Sequence, residues 1–192
     1  VDTGAMYRAM GLYFLENGIK ASEEEKISSA CKKIDISIRY ENGEQQVLLN
    51  GKNVSDQIRR EDVGNMASAT SIYTEVRAKL VALQQGLAAT SDVIMDGRDI
   101  GTCVLPDAEL KIYLTASTAT RAKRRFDELM EKGVVCNLKE IEKEIEERDY
   151  RDMHRELSPL KQAEDAVLVD SSDMGIEEVV EHIRRRYQEK KS

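Results

Sequence analysis

Cysteine and histidine are scarce in this sequence of 192 residues, which contains three cysteines and two histidines. The cysteines are odd in number and far apart, and no histidine lies near one of them in the sequence. The five residues are Cys31, Cys103, Cys136, His154 and His182. Neither a disulfide framework nor a zinc-binding pattern is present. This usage is typical of a reducing compartment, and we expect a cytoplasmic protein.

Long apolar runs and an excess of positive charge are also missing. No stretch is long enough to span a bilayer, and we find no signal-peptide pattern, so we expect no membrane partner. The 29 Lys and Arg residues are outnumbered by 36 Asp and Glu residues, which gives a formal net charge of -7. Nucleic acid repels such a chain as a whole, so we expect no nucleic-acid partner. An anionic ligand would have to be held by local clusters of arginine.

The sequence does contain enough apolar side chains for a sizeable core, since 41% of its residues are hydrophobic. In the first half, apolar residues recur at helical spacing, and one segment instead alternates apolar and polar residues. The predicted helices span 5–16, 22–33, 59–68 and 73–89, and the alternating segment spans 34–54. Because the turn sequence Glu41-Asn42-Gly43 lies inside it, the alternating segment predicts a small antiparallel lobe.

The second half alternates predicted strands with predicted helices. The strands are short and apolar, at 93–95, 110–114 and 166–169, and the helices cover 118–132, 138–156 and 175–189. This order is typical of a parallel α/β sheet. We therefore expect an α/β fold with one core and inserted flaps.

A charged turn, Asp96-Gly97-Arg98-Asp99, comes directly after the predicted strand at 93–95. It would lie at the carboxyl end of that strand, where open α/β sheets place their ligands. An ordinary charged turn with a glycine explains the same four residues. The turn therefore indicates a ligand site only in combination with other charged groups.

One face of the predicted helix at 138–156 changes from apolar to charged. In steps of three and four its members are Leu138, Ile141, Ile145, Arg148, Asp152 and Arg155. A face that begins by packing inward would bring the later charges toward the body of the protein, where unpaired charge is costly. Two interpretations stay open: an anion-binding site, or a salt-bridge network between helices that includes Asp149 and Arg151.

Two further groups of residues suit phosphate. The segment DTGAMYR places Thr3, Tyr7 and Arg8 in the first turns of a helix, where backbone N–H groups favour an anion. The second group consists of Arg121, Arg124 and Arg125. These arginines could form a lid that closes over phosphate groups. A well-capped amphipathic helix and solubilising surface charge are the plainer explanations of the two groups.

Five segments together resemble the bacterial cytidylate kinases, which are P-loop nucleoside monophosphate kinases. They are DTGAMYRA at 2–9, VSDQIRREDVGNMAS at 54–68, VR at 76–77, DGRDIGT at 96–102 and ERDYRDMHRELSPL at 147–160, in the order and spacing of that family. The resemblance implies an α/β, P-loop kinase-type fold with three α/β/α layers, a central parallel sheet, a small antiparallel β insert where the nucleoside monophosphate binds, and a short lid. It places the core kinase domain at 1–33 and 69–192, the insert at 34–68 and the lid at about 121–138.

The same resemblance implies transfer of the γ-phosphoryl group of ATP to CMP or dCMP, with Mg²⁺ as cofactor. It assigns the CMP phosphate to Arg8, Arg98 and Arg155, the base to Ser68, Arg77 and Asp99, and the sugar and its surroundings to Thr3, Tyr7, Arg148 and Asp152. It assigns Asp96 to the Mg²⁺ shell through water, and Arg121, Arg124 and Arg125 to ATP. The implied reaction is in-line transfer without a covalent intermediate, and the residues expected to carry it are Arg98, Arg155, Arg124 and Asp96.

One motif of that family, G-x-x-x-x-G-K-[S/T], is missing from the sequence. This motif is the loop that holds the ATP phosphates. Because the sequence opens at Val1, directly before the matched segment at 2–9, we expect the loop to lie upstream. We also expect a polypeptide that starts at Val1 to bind ATP poorly and to fold badly. The alternatives are another small P-loop kinase, a CMP-binding regulatory module, or a structural interaction domain. The family implies a monomer whose partners are small-molecule nucleotides.

Overall fold

Helix α1, Thr3–Glu16, lies in the first of two units of the computed structural model, which describes residues 1–191. The first unit covers Val1–Ile100, and the second begins at Gly101. Each unit has its own secondary structure, described below. The predicted separation of an inserted lobe from a kinase core stays a prediction.

Four α-helices form most of the first unit, close to the predicted positions. They are α1 (Thr3–Glu16), α2 (Glu24–Cys31), α3 (Glu61–Thr70) and α4 (Thr74–Thr90), with a 3₁₀ turn at Gln57–Arg59 ahead of α3. Helix α1 begins at an N-cap, because the side chain of Asp2 accepts a hydrogen bond of 2.9 Å from the Ala5 N–H. The chain leaves α1 through Asn17 and Gly18, and Gly18 has the positive φ, +65°, that often follows a helix.

The predicted antiparallel lobe is confirmed as a three-stranded sheet. Its strands are β1 (Ile36–Glu41), β2 (Glu44–Leu49) and β3 (Lys52–Asn53), in that spatial order. Tight turns at Asn42-Gly43 and Asn50-Gly51 join them, and all four turn residues have positive φ. Asn-Gly is a preferred sequence for such turns because both positions tolerate the left-handed region.

The apolar core of the first unit combines α1, the antiparallel sheet and the other helices. Its buried members include Met6, Met10, Phe14, Ile36, Val47, Leu49, Val63 and Leu80. Helices α1 and α3 approach closely at Gly11, where an added Cβ would come within 3.0 Å of the Val63 carbonyl oxygen and the Ala67 nitrogen. Glycine at this position therefore allows the two helices to pack backbone against backbone.

The strand predicted directly ahead of Asp96 does not form, so that prediction was wrong. Ile94 is 89% exposed, and the described residues show only an isolated parallel bridge between Asp2 and Asp96. In that bridge the Asp96 N–H donates to the Val1 carbonyl at 3.1 Å, and the Thr3 N–H donates to the Asp96 carbonyl at 3.3 Å. A strand needs a partner with several extended residues, whereas α1 begins directly after Asp2.

The described part of the second unit contains a two-stranded parallel sheet and three α-helices. The strands are β4 (Ile112–Thr115) and β5 (Val167–Asp170), and the helices are α5 (Thr118–Glu131), α6 (Leu138–His154) and α7 (Ile176–Lys191). Helices α5 and α6 pack against each other, and Ser117 and Asn137 provide their N-caps. The predicted order of elements in this half is confirmed from 110 onward. Residues 1–191 have a mixed α/β fold with one antiparallel and one parallel sheet.

The face of α6 that changes from apolar to charged is only partly buried. Ile141 and Asp152 are buried, Ile145 and Arg155 are half-buried, and Leu138 and Arg148 are exposed. The prediction that this face packs inward along its length was therefore wrong at two positions. Leu138 is the first residue of the helix, and the long side chain of Arg148 can keep its charged head in water.

Candidate active site

The first turns of α1 hold an arginine and a hydroxyl in fixed positions. Asp2 Oδ2 accepts an ion-paired hydrogen bond from Arg8 Nη2 at 2.7 Å, and the Arg8 side chain stays 30% exposed. Thr3 is buried, and its hydroxyl donates to the Asp96 carbonyl at 2.6 Å. Tyr7 is half-buried and packs against the core. A helix N-terminus with an arginine beside it suits a phosphate group.

The predicted charged turn at 96–99 lies against the same helix start. A Cβ added at Gly97 would lie 2.6 Å from the Thr3 hydroxyl oxygen, so the approach requires glycine. Partial burial, and secondly the negative charge of Asp2, raise the pKa of the Asp96 carboxyl. Both causes penalise the ionised carboxylate, which a nearby cation would stabilise. Arg98, which lies between Gly97 and Asp99 in the turn, is exposed.

Arg77 of α4 and Asp99 form a buried ion pair. Both residues are nearly inaccessible to solvent, at 6% and 5% exposure, and Arg77 Nη2 donates to Asp99 Oδ2. Arg77 Nη1 is also buried, but it has no hydrogen-bond partner within residues 1–191. Ser68, the third residue predicted to hold a base, is half-buried on α3, and its carbonyl accepts from the Ser71 hydroxyl at 2.8 Å. The structure thus brings two of the three base-binding candidates into direct contact.

In the second unit, all three of the predicted lid arginines have partners within the protein. Arg121 donates to both carboxylate oxygens of Asp149, at 3.1 and 2.5 Å, which links α5 to α6. Arg124 Nη2 donates to the carbonyl oxygens of Ser171, at 2.6 Å, and of Met174, at 3.0 Å. The third, Arg125, forms an exposed ion pair with a neighbour on its own helix. The interhelical salt bridge that the sequence left open at Asp149 is therefore present.

The C-terminal end of α6 holds the remaining candidates. Asp152 is buried, and its carbonyl accepts from the Leu160 N–H at 2.8 Å. Arg155 caps the end of the helix, and its Nε donates to the Ser158 carbonyl at 2.8 Å. Arg148 lies about two turns before Arg155 and is exposed. The predicted roles of these residues toward CMP stay predictions.

Two residues of the site were not identified from the sequence. Asp2 was part of a matched segment without a role, although an aspartate directly ahead of a helix is a known signal of an N-cap. Gln45, on β2, contacts the backbone of Asp2 through its side-chain amide. No sequence signal points to Gln45, because the two residues are 43 positions apart.

Residues 1–191 contain neither a metal-ligand cluster nor a membrane-spanning helix. Within that range, no group of three or more His, Cys, Asp or Glu side chains could hold a metal ion. No helix in the same range is long and apolar enough to cross a membrane.

A helix N-terminus and nearby arginine side chains are groups that suit the phosphates of small phosphorylated molecules. A family profile described as Cytidylate kinase matches residues 1–189. The chain belongs to the cytidylate kinase family. This membership confirms the resemblance found in the five segments and the predicted enzyme class, a nucleoside monophosphate kinase.

Individual relatives cover almost the whole chain. The chain is 53% identical to the cytidylate kinase of Caldicellulosiruptor saccharolyticus over 183 residues, which are 95% of this chain and 81% of the relative. It is 49% identical to the cytidylate kinase of Lactobacillus johnsonii over 190 residues, 99% of this chain and 83% of the relative. Identity to the cytidylate kinase of Streptococcus pneumoniae strain Hungary19A-6 is 48% over 185 residues, 96% of this chain and 83% of the relative.

Proposed function

We propose that the chain transfers the γ-phosphoryl group of ATP to CMP or dCMP, a reaction of pyrimidine nucleotide metabolism. The observation that carries the proposal is the buried Arg77 guanidinium, of which Nη2 is paired with Asp99 while Nη1 has no partner within residues 1–191. A buried donor without an acceptor costs about 1–3 kcal/mol, which an acceptor atom on a ligand would recover. The relatives, which are named cytidylate kinases, indicate the class of that ligand.

Cytosine fits the Arg77–Asp99 pair chemically. Its exocyclic amino group can donate to the Asp99 carboxylate, and its ring nitrogen and carbonyl oxygen can accept from Arg77. Uracil has a carbonyl where cytosine has the amino group, and a carboxylate repels a carbonyl oxygen. We propose Ser68 as an additional contact to the base. These contacts support selection of cytosine over uracil.

The phosphate of CMP is proposed to bind Arg8 and Arg98. Arg8 lies at a helix start and remains partly exposed, and Arg98 is exposed on the turn that contacts Thr3. The planar guanidinium fork suits phosphate oxygens, and cationic neutralisation with correct positioning supplies most of the catalysis in phosphoryl transfer. Thr3 and Tyr7 are proposed to border the sugar.

For the second unit we keep the roles that the family resemblance implies. They are Arg148, Asp152 and Arg155 for CMP, and Arg121, Arg124 and Arg125 for ATP. Because Arg121 and Arg124 already bind Asp149 and backbone carbonyls, contact with ATP would require them to exchange these partners. Asp152 offers a buried carboxylate that could accept from a ribose hydroxyl.

Mg²⁺ is proposed as the companion ion of ATP. The raised pKa of Asp96 marks a carboxyl whose charged form would gain from a cation. Mg²⁺ usually keeps several of its waters, so Asp96 is proposed to contact the water shell of the ion. When bound with ATP, Mg²⁺ would neutralise charge on the transferred group.

Several finer parts of the proposal come from the family and from composition. A G-x-x-x-x-G-K-[S/T] loop for the ATP phosphates does not occur in the 192 residues, and its position upstream stays a prediction. The cytoplasm is proposed as the location because all three cysteines are free. A monomer is proposed from the family alone.

The test is a coupled assay of CDP formation with protein expressed from the complete reading frame and confirmed by intact mass. ATP and Mg²⁺ are supplied with CMP, dCMP, UMP or AMP in separate reactions. We expect activity confined mainly to CMP and dCMP. Folded protein of verified mass that phosphorylates none of the four would overturn the proposed function, and equal use of UMP would overturn the role of the Arg77–Asp99 pair.

A further inference from the structure

Gln45 connects the antiparallel sheet to the residue that caps α1. Its side-chain amide uses both of its ends on the backbone of Asp2. The Asp2 N–H donates to Gln45 Oε1 at 2.9 Å, and Gln45 Nε2 donates to the Asp2 carbonyl at 3.3 Å. Both contacts are partly buried, so the amide replaces water at this backbone position.

The parallel bridge explains why Asp2 needs such a partner. In parallel pairing, the two neighbours of a residue bond to the facing strand, while the residue's own N–H and C=O point to the opposite edge. Here the backbone groups of Val1 and Thr3 bond to Asp96, which leaves both groups of Asp2 on the other side. Gln45 takes the place that a further strand would occupy at that edge.

Asp2 in turn orients Arg8. One of its carboxylate oxygens caps α1 through the Ala5 N–H at 2.9 Å, and the other holds Arg8 Nη2 at 2.7 Å. Gly4 leaves room for this pair, because a Cβ there would lie 3.1 Å from Asp2 Oδ1 and 3.2 Å from Arg8 Nη1. A displacement of the Asp2 backbone would therefore disturb the helix cap and the arginine together.

We propose that Gln45 is a positioning residue for the phosphate of CMP, which acts by holding Asp2 and, through it, Arg8. This inference rests on the proposed function, because it requires Arg8 to bind the acceptor's phosphate. If the inference is right, Gln45 of the antiparallel sheet contributes to the affinity for CMP although it does not contact the nucleotide. The base-binding pair, Arg77 and Asp99, is not part of this chain of contacts.

The test compares Gln45→Met, which keeps the side-chain length and removes both hydrogen bonds, with wild type expressed from the complete reading frame. We expect the KM for CMP to rise about tenfold because two hydrogen bonds are lost. The KM for ATP and the inhibition constant of cytidine, which lacks the phosphate, should stay unchanged. Gln45→Glu keeps the acceptor and loses the donor, and it should raise the same KM selectively if Gln45→Met fails to fold.

Gln46→Met is the matched control, since Gln46 lies on the same strand but accepts hydrogen bonds from Asn53, on β3, and from Ser55, shortly after it. It should leave the KM for CMP unchanged. Wild type that forms no CDP would refute the proposed function. Three results with an active wild type would overturn this inference alone. The Gln45 variants could keep the normal KM for CMP, they could lose affinity for ATP and cytidine as much as for CMP, or they could behave like Gln46→Met.

Discussion

Arg77 and Asp99 form a buried ion pair in which one donor nitrogen of the arginine has no hydrogen-bond acceptor within residues 1–191. Removing two charges from water is costly, and one ion pair with good geometry offsets that cost only in part. Asp99 receives Arg77 Nη2, whereas Arg77 Nη1 remains buried without an acceptor in the described part of the chain. The protein therefore holds the pair in place, and under the proposed function a ligand supplies the acceptor that Arg77 Nη1 lacks within residues 1–191. This asymmetry makes Asp99 the position at which base selection can be tested.

We predict that Asp99→Asn raises the KM for CMP by about 10- to 100-fold, because a charge-assisted hydrogen bond contributes about 1.5–3 kcal/mol. The amide would also present an N–H toward the amino group of cytosine, so the preference for CMP over UMP should fall. The KM for ATP should change by less than about twofold. Steady-state kinetics with each substrate varied in turn decide this, and equal losses for CMP and ATP would contradict it.

Asp92→Ala is the control for that variant, because Asp92 is an exposed aspartate shortly before the same turn. It should leave both KM values unchanged. Asp99→Ala should shift the kinetics in the same direction as Asp99→Asn. It also leaves the Arg77 charge buried without its partner, at a cost of about 3–5 kcal/mol, so its activity must be interpreted beside its stability.

The sequence predicted which residues belong to the candidate site better than it predicted which of them contact each other. The family resemblance named Arg77 and Asp99 separately for the base, but nothing in the sequence indicated that they form an ion pair, since they are 22 positions apart. The same holds for Asp2, which bonds Gln45 from a distance of 43 positions. Such contacts depend on how helices and strands pack, and local sequence patterns carry no information about that.

Glycine has opposite effects in two helices of the first unit. In α1, Gly11 allows backbone contact with α3, because a Cβ would meet Val63 and Ala67 backbone atoms at 3.0 Å. In α4, an added Cβ at Gly86 meets nothing within 4 Å. Glycine at an open helical position only adds conformational entropy to the unfolded chain.

We predict that Gly11→Ala lowers the free energy of unfolding by about 1–3 kcal/mol through overpacking. Gly86→Ala should raise it by about 0.5–1 kcal/mol, because alanine is the better helix former. Urea denaturation followed by circular dichroism at 222 nm measures both, and each variant serves as control for the other. Equal stabilisation by the two variants would show that α1 and α3 do not pack as closely as described.

Helices and the antiparallel lobe were predictable because their signals are local. Periodic apolar residues, the cap at Asp2 and the two Asn-Gly turns each act within a few positions. The apolar segment 93–95 had the composition of a strand but not the partner, and it stays outside any strand. Hydrogen bonds between strands come from elsewhere in the chain, so composition alone cannot establish them.

At the scale of the whole molecule, the three free cysteines differ in reactivity. Burial raises the pKa of the Cys31 thiol to about 11, whereas Cys103 is exposed. At pH 8, roughly one Cys31 thiol in a thousand would be ionised, and thiolate is the reactive form. Cys31 belongs to the core of the first unit, so its labelling reports the opening of that core.

We predict that iodoacetamide at pH 8 modifies Cys103 first and leaves Cys31 unmodified until denaturant is added. Peptide mass spectrometry of samples taken over time distinguishes the sites. Cys136, which is half-buried, should react at an intermediate rate and provides an internal comparison. Modification of Cys31 in native protein at the rate of Cys103 would mean that the core of the first unit opens readily.

By itself the sequence determined the family, the α/β class and the order of elements apart from the strand expected at 93–95. It could do so because helical periodicity, caps and turns act over short distances, and because five motifs occur in a characteristic order. Tertiary structure alone decided which charges pair: Arg77 with Asp99, Arg8 with Asp2, and Arg121 with Asp149. Partners that lie far apart in sequence meet only when their elements pack, and the cost of burying a charge depends on that meeting.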